Sequence, residues 1–146
     1  MGVFVLAYMK KVFLDIGFDY DFLLLGIVSQ EKVHRLVWFI NNQLSYHFAH
    51  DGELVMYEEE EPVAAYTKYV FTDEMNHLEF FLVENKDESS YLIPELRQVD
   101  FFMMIKGALD FLDVKTLITN MKPIEPIQLI TEIDHQKLKS KQNLIF

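Results

Sequence analysis

Two carboxylates, Glu95 and Asp100, flank Arg97 in the stretch Tyr91–Phe102, and Pro94 stands directly before the first of them. Proline fixes its own φ and has no N–H to give a sheet ladder, so it belongs at a strand edge, a bulge or a turn. A bend there would let Glu95 and Asp100 converge, and paired carboxylates can run acid–base chemistry or hold a hard cation. The same groups also suit an architectural part, with Glu95 capping amides exposed by the bend and Asp100 bonding to the adjacent turn. No nucleophile, base or third ligand accompanies the pair, so it specifies no reaction by itself.

Other chemistry-bearing residues are scattered. His47, His50 and Asp51 have a metal-like look, but residues three apart on a strand face opposite sides, and only a turn would bring both imidazoles to one ion. His34, His77 and His135 fall in separate segments. Glu58 to Glu61 form a charged break that reads as a solvated loop, with attraction for a basic partner or a cation as the functional alternative. The glycines make no phosphate-cradling loop, and no serine has a GxSxG context. The chain has no cysteine, which excludes disulfides, thiolate metal sites and thiol nucleophiles. The sequence therefore assigns no catalytic residue, no metal ligand and no cofactor.

The string Ile93-Pro94-Glu95, three spacers, then Val99-Asp100 and an aromatic resembles the signature of the bacterial IPExxxVDY family. The Phe22 to Asn41 region, with Leu25-Gly26-Ile27 and Arg35-Leu36, and the closing Leu138 to Phe146 also look like that family. The resemblance covers nearly the whole chain after Met9. It implies a family and no activity, because none is established that could be carried onto Ile93, Pro94, Glu95, Val99 and Asp100. Phe101 stands where the family name has Tyr, so this chain offers no phenol there.

At 146 residues the chain has the length of one domain with a sizeable core, here expected over residues 9–146. Its 13 Phe and 7 Tyr imply an aromatic-rich interior and exclude a disordered polypeptide. A net charge of −10 argues against a nucleic-acid binder held by phosphate contacts, and Lys137, Lys139 and Lys141 are too few to reverse that. Residues 1–8 lack the features of a signal peptide and read as an N-terminal extension, with Met9-Lys10-Lys11 as a second possible start. No apolar run reaches the roughly 18 residues that a membrane crossing needs, and the expectation is a cytoplasmic protein.

Alternation of Val12, Leu14 and Ile16 reads as extended, and the apolar run Phe22 to Val28 reads as a central strand covered on both sides. Val33, Leu36, Val37, Ile40 and Leu44 recur at helical spacing, giving a helix over about 30 to 44 with Ser29 as its N-cap. Asp51-Gly52 suits a type I′ turn pairing Tyr46 and Phe48 with Val55 and Tyr57. Val63 to Thr72 and His77 to Glu84 read as a hairpin turning at Asp73 to Asn76. After the polar loop Lys86 to Ser90, a strand follows from Val99 to Lys106, with Val99, Phe101, Met103 and Ile105 on one face. Val114, Leu117, Ile118 and Met121 predict a second helix, capped by Asp110 or Asp113 and ended before Pro123. Ile127 to Ile133 is the last strand, and Leu138 to Phe146 is a short helix or an ordered tail. The pattern is α+β: one largely antiparallel sheet with both helices on one face, loosely ferredoxin-like or ACT-like with extra hairpin strands.

On the first helix Trp38 falls on the flank with Glu31, His34 and Asn42, away from the apolar stripe. Exposed aromatics anchor interfaces, so Trp38, His34 and Asn42 are the candidate contact surface of a homodimer or a protein partner. In the competing reading Trp38 is covered by the N-terminal strand or by Leu144 to Phe146. Three functions follow: a non-enzymatic protein-interaction or structural module, a regulatory module binding a small polar ligand, and an enzyme using Glu95 and Asp100.

Overall fold

Leucine, isoleucine and valine fill Leu23–Val28 (β1) at every position but Gly26 because this strand is covered on both faces. Leu25 and Ile27 enter one buried cluster, and Leu24 with Phe22 enters another on the opposite side. The computed structural model describes residues 21–146. The expected strand around Val12, Leu14 and Ile16 and the extension 1–8 lie outside the described residues.

Two helices, Val33–Leu44 (α1) and Val114–Met121 (α2), alternate with strands Ala49–Glu58 (β2), Glu61–Asp73 (β3), Leu78–Glu84 (β4), Phe101–Gly107 (β5) and Leu129–Ile133 (β6). The strands form one sheet in the order β2-β3-β4-β5-β1-β6, and every neighbouring pair is antiparallel. The expected α+β class with a largely antiparallel sheet is the architecture observed. None of the helices among the described residues is long and apolar enough to cross a membrane.

Alternation along the strands divides the core in two. Phe101, Met103 and Ile105 of β5 join Leu78, Phe80 and Leu82 of β4 beneath Leu36, Val37 and Ile40 of α1 and Leu117 and Met121 of α2. Both helices thus bury their stripes on the same face of the sheet. On the other face Phe102, Met104, Phe81 and Val83 are roofed by Leu92, Ile93, Val99 and Leu144. Val99 therefore belongs to this second core and not to the face of Phe101, Met103 and Ile105. It precedes the strand, so the period-2 alternation does not extend back to it.

Local signals held for α2, where Asp113 accepts from the Thr116 amide at 3.1 Å, as an N-cap should. At α1 they did not. The helix begins at Val33 with Lys32 at the cap and no side-chain cap bond. Ser29 instead accepts from the Glu31 amide at 3.1 Å, shaping the turn before the helix, while its own amide is taken by Asp100. Ser45 closes α1 with φ of 57°, in the left-handed region.

The largest departure is the first hairpin. β2 runs straight through Asp51-Gly52, where a register shift between His50 and Glu53 marks a bulge and Gly52 has φ of 74°. The chain turns instead at the glutamates, with Glu59 and Glu60 at φ of 48° and 69° and Glu58 opposite Glu61. Two consecutive positive φ values are what a two-residue hairpin of matching twist requires. Tyr46 and Phe48 are engaged elsewhere. Tyr46 lies 4.8 Å from Phe71 and 5.2 Å from Phe80, and Phe48 is held at both backbone groups by Asn41. Burying that aromatic cluster outweighs the local turn preference of one dipeptide. The second hairpin turns where expected, with the Asn76 amide bonded to Asp73 at 3.2 Å.

Candidate functional site

The signature begins after a sharp departure from β4, and the residue that organises it is Asn85. Asn85 is fully buried, and its amide nitrogen donates to the carbonyls of Leu96 and Val99, both at 2.8 Å. Its side-chain oxygen accepts from the Ile93 amide at 2.8 Å, while its main chain bonds to Asp100 and Leu92. One side chain thus satisfies the polar groups that a non-repetitive loop would otherwise bury bare. Within that clamp Pro94–Leu96 forms a single 3₁₀ turn with proline at its start, where the missing N–H costs nothing. Ile93 and Val99 point inward, and Phe101 opens β5 in the helix-side core.

The two carboxylates of this stretch are tied to different elements. Glu95 accepts from the amide and the hydroxyl of Ser140 at 2.8 and 2.9 Å, fastening the C-terminal segment. Desolvation tends to raise its pKa, but the bonds from Ser140 together with the backbone amides of Glu95 and Lys139 more than offset that and leave the carboxyl below the usual glutamate range. Asp100 accepts from the Ser29 amide at 2.9 Å, and its own amide donates to the Ile27 carbonyl at 2.9 Å. One carboxylate holds the chain beyond β6 and the other holds the exit of β1. The geometry that shared acid–base work or joint cation binding needs is not formed by this pair.

The closing segment completes the brace. A 3₁₀ turn at Lys141–Leu144 places Leu144 in the second core, and Asn143 donates to the Leu92 carbonyl at 2.8 Å. Lys106 donates to the Phe146 carbonyl at 2.9 Å, and the Phe146 ring meets Phe81 edge-on at 5.6 Å. The tail is ordered as its apolar residues require.

Trp38 stands 60% exposed on the outer side of α1, consistent with its place off the stripe. The tail packs on the opposite face of the sheet, so Leu144 to Phe146 do not cover it. Its ring rests edge-to-face on Phe39 at 5.0 Å, and Asn42 donates to its carbonyl at 2.7 Å. His34, Arg35 and Trp38 border a shallow concavity of about 360 Å³. Arg35 is paired with Glu31 at 3.4 Å on the same helix.

The remaining sequence candidates do not assemble. His47 lies edge-on to Phe71 and His50 to Tyr69, so the two imidazoles pack against different rings. His34 is on α1, His77 is in the β3–β4 turn, and His135 is stacked on Phe22 at 4.0 Å with a ring nitrogen 2.8 Å from the Phe22 carbonyl. Among the described residues no group of three His, Asp or Glu could hold a metal ion. Sequence reasoning missed Asn85. Its one signal was a lone amide closing an apolar strand, and that does not distinguish a clamp from a loop residue.

No family model matches the chain, and no curated protein matches it either.

Proposed function

We propose that this protein works by contact with protein, through the outer face of α1, and that its partner is a second copy of the same chain. The observation that carries the reading is Trp38, a large aromatic left 60% exposed on a helix whose opposite side is fully buried. Tryptophan and arginine are the residues that dominate interface energetics, and both are here. Charge opposes self-association least at this place. A chain of net charge −10 repels its own copy, and beside Trp38 the exposed Arg35 is balanced by Glu31, so this patch carries little of that acidic excess. A two-fold contact could seat each Trp38 in the concavity beside its counterpart, with Asn42 and His34 at the rim.

The finer fold reading supports a compact scaffold for such a surface. Omitting the β2–β3 hairpin, the order β6-β1-β5-β4 with one helix in each crossover matches the split βαβ arrangement of ferredoxin-like units. A fold likeness carries no activity. In this reading the IPExxxVDY signature is the brace that fixes the second core and the tail, and the protein is a cytoplasmic one.

Sedimentation equilibrium tests the proposal. The expected result is a dimer mass for the wild type and a monomer mass for Trp38→Ala, with a melting temperature close to that of the wild-type monomer. The single tryptophan should also lose its solvent-exposed emission as concentration rises. A wild type that stays monomeric at high micromolar concentration overturns the self-association.

A further inference from the structure

A second concave site lies on the helix side of the sheet, between the β3–β4 turn and the start of α2, and shares none of its described lining residues with the Trp38 concavity. It encloses about 270 Å³, at the small end for ligand pockets. Phe80 and Leu117 give the lining apolar surface, Tyr46 a phenol, and Asp73 and Asp113 two carboxylates, with no Lys or Arg among the described lining residues. Phe111, also in the lining, is 89% exposed. Such exposure is costly for an aromatic ring unless something covers it.

From this lining we propose that the cavity binds a small primary amine carrying an apolar body. The ammonium group meets two carboxylates and the apolar body meets Phe80 and Leu117. Asp73 already accepts from the backbone amide and side chain of Asn76, and Asp113 from the backbone amide and hydroxyl of Thr116. A carboxylate has about four acceptor sites, so each retains lone pairs for a further donor. The Tyr46 hydroxyl takes no hydrogen bond from the described residues, and burial together with the nearby Asp73 pushes its pKa up, so the phenol stays neutral and able to bond. The negative field that reaches Tyr46 is the one that would hold an ammonium ion, and aromatic rings add cation–π attraction at the mouth. An anion of the same size would meet two carboxylates with no counter-charge among the described lining residues.

Calorimetric titration at low salt with three probes sharing one apolar body tests this: 2-phenylethylammonium, 2-phenylethanol and 3-phenylpropionate. The ammonium should bind at millimolar concentration or tighter, the alcohol about ten-fold more weakly, and the carboxylate not at all. Asp73→Asn and Asp113→Asn delete the charge while keeping one acceptor oxygen each for the turn and cap amides, since Asn suits both positions. Each should weaken the ammonium several-fold and leave the alcohol unchanged. Asn120→Phe fills the cavity from an exposed helix position and should abolish both. Equal affinity for the three probes, no binding of the ammonium, or binding unmoved by these variants overturns the proposal. All readings are taken with Trp38→Ala as well, where retained binding separates this site from self-association.

Discussion

Replacing Asn85 with alanine deletes three side-chain hydrogen bonds at 2.8 Å and leaves the Ile93 amide and the Val99 carbonyl to find other partners, while the Leu96 carbonyl keeps its bond from the Val99 amide. The Ile93 amide and the Val99 carbonyl belong to buried residues, so each unmet group costs about 1–3 kcal/mol. The Leu96 carbonyl, still bonded to the Val99 amide, adds about 1 kcal/mol or less. Partial relaxation of the loop returns some of this, and the expected loss is about 4 kcal/mol, equivalent to roughly 12 °C in melting temperature for a chain of this size. Urea unfolding with an unchanged slope against denaturant is the assay, because the slope reports whether the unfolded reference has moved. Asn85→Asp separates the bonds from the packing. Its carboxylate would face the carbonyls of Leu96 and Val99, and burial would raise its folded pKa above the unfolded value. That variant should therefore gain stability as pH falls from 7 toward 5, the reverse of an ordinary hydrogen-bonded carboxylate. A loss below about 1 kcal/mol in Asn85→Ala would refute the view that one side chain holds the signature.

Gly107 has φ of 117°, and a Cβ there would lie 2.2 Å from the backbone oxygen of His77, so Gly107→Ala should cost about 3 kcal/mol by thermal unfolding. Glu59→Asn with Glu60→Gly places better residues at two positive-φ positions and removes like charge beside the Glu58–Glu61 pair. The double variant should gain about 1 kcal/mol, read by urea midpoint. Hydrogen bonds to Glu95 from Ser140, to Asp87 from Ala65 and to Asp113 from Thr116 leave all three carboxyls below their usual range. A folded pKa below the unfolded one means stability that is full above the unfolded value and lost as pH falls through the folded one. Melting temperature should thus drop on acidification below about pH 4, and less steeply in Glu95→Gln.

Legibility followed the range of the forces involved. β1, α1 and α2 were readable because each is fixed by a run or stripe that its own residues carry, and Asp113 caps a helix lying directly beside it. Asp51-Gly52 misled because a good local turn dipeptide can equally supply the left-handed residue of a bulge, as Gly52 does. Turning at 51 and 52 would have removed Tyr46 and Phe48 from Phe71 and Phe80, a cost visible only once the sheet is assembled. Asn85 was illegible for the same reason. Its partners lie up to 14 residues away, and nothing local marks an amide that will serve them. The bend at Pro94 was foreseeable, but the separate partners of Glu95 and Asp100, 45 and 71 residues distant, were not.

Strand β1 is the first described strand in the chain, yet it lies between β5 and β6, pairing Leu24 with both Met104 and Ile133. The β2–β3 and β3–β4 hairpins can form from neighbouring sequence, but β1 has nothing to pair with until residues past 100 exist. During synthesis its leucines must wait in water, or in a chaperone's grip, while some eighty residues follow. Folding of this chain is therefore expected to be slow and to begin from its middle. The interval in which β1 is unpaired is the one in which aggregation is most dangerous, and drawing β6 and the latched tail onto the sheet ends it.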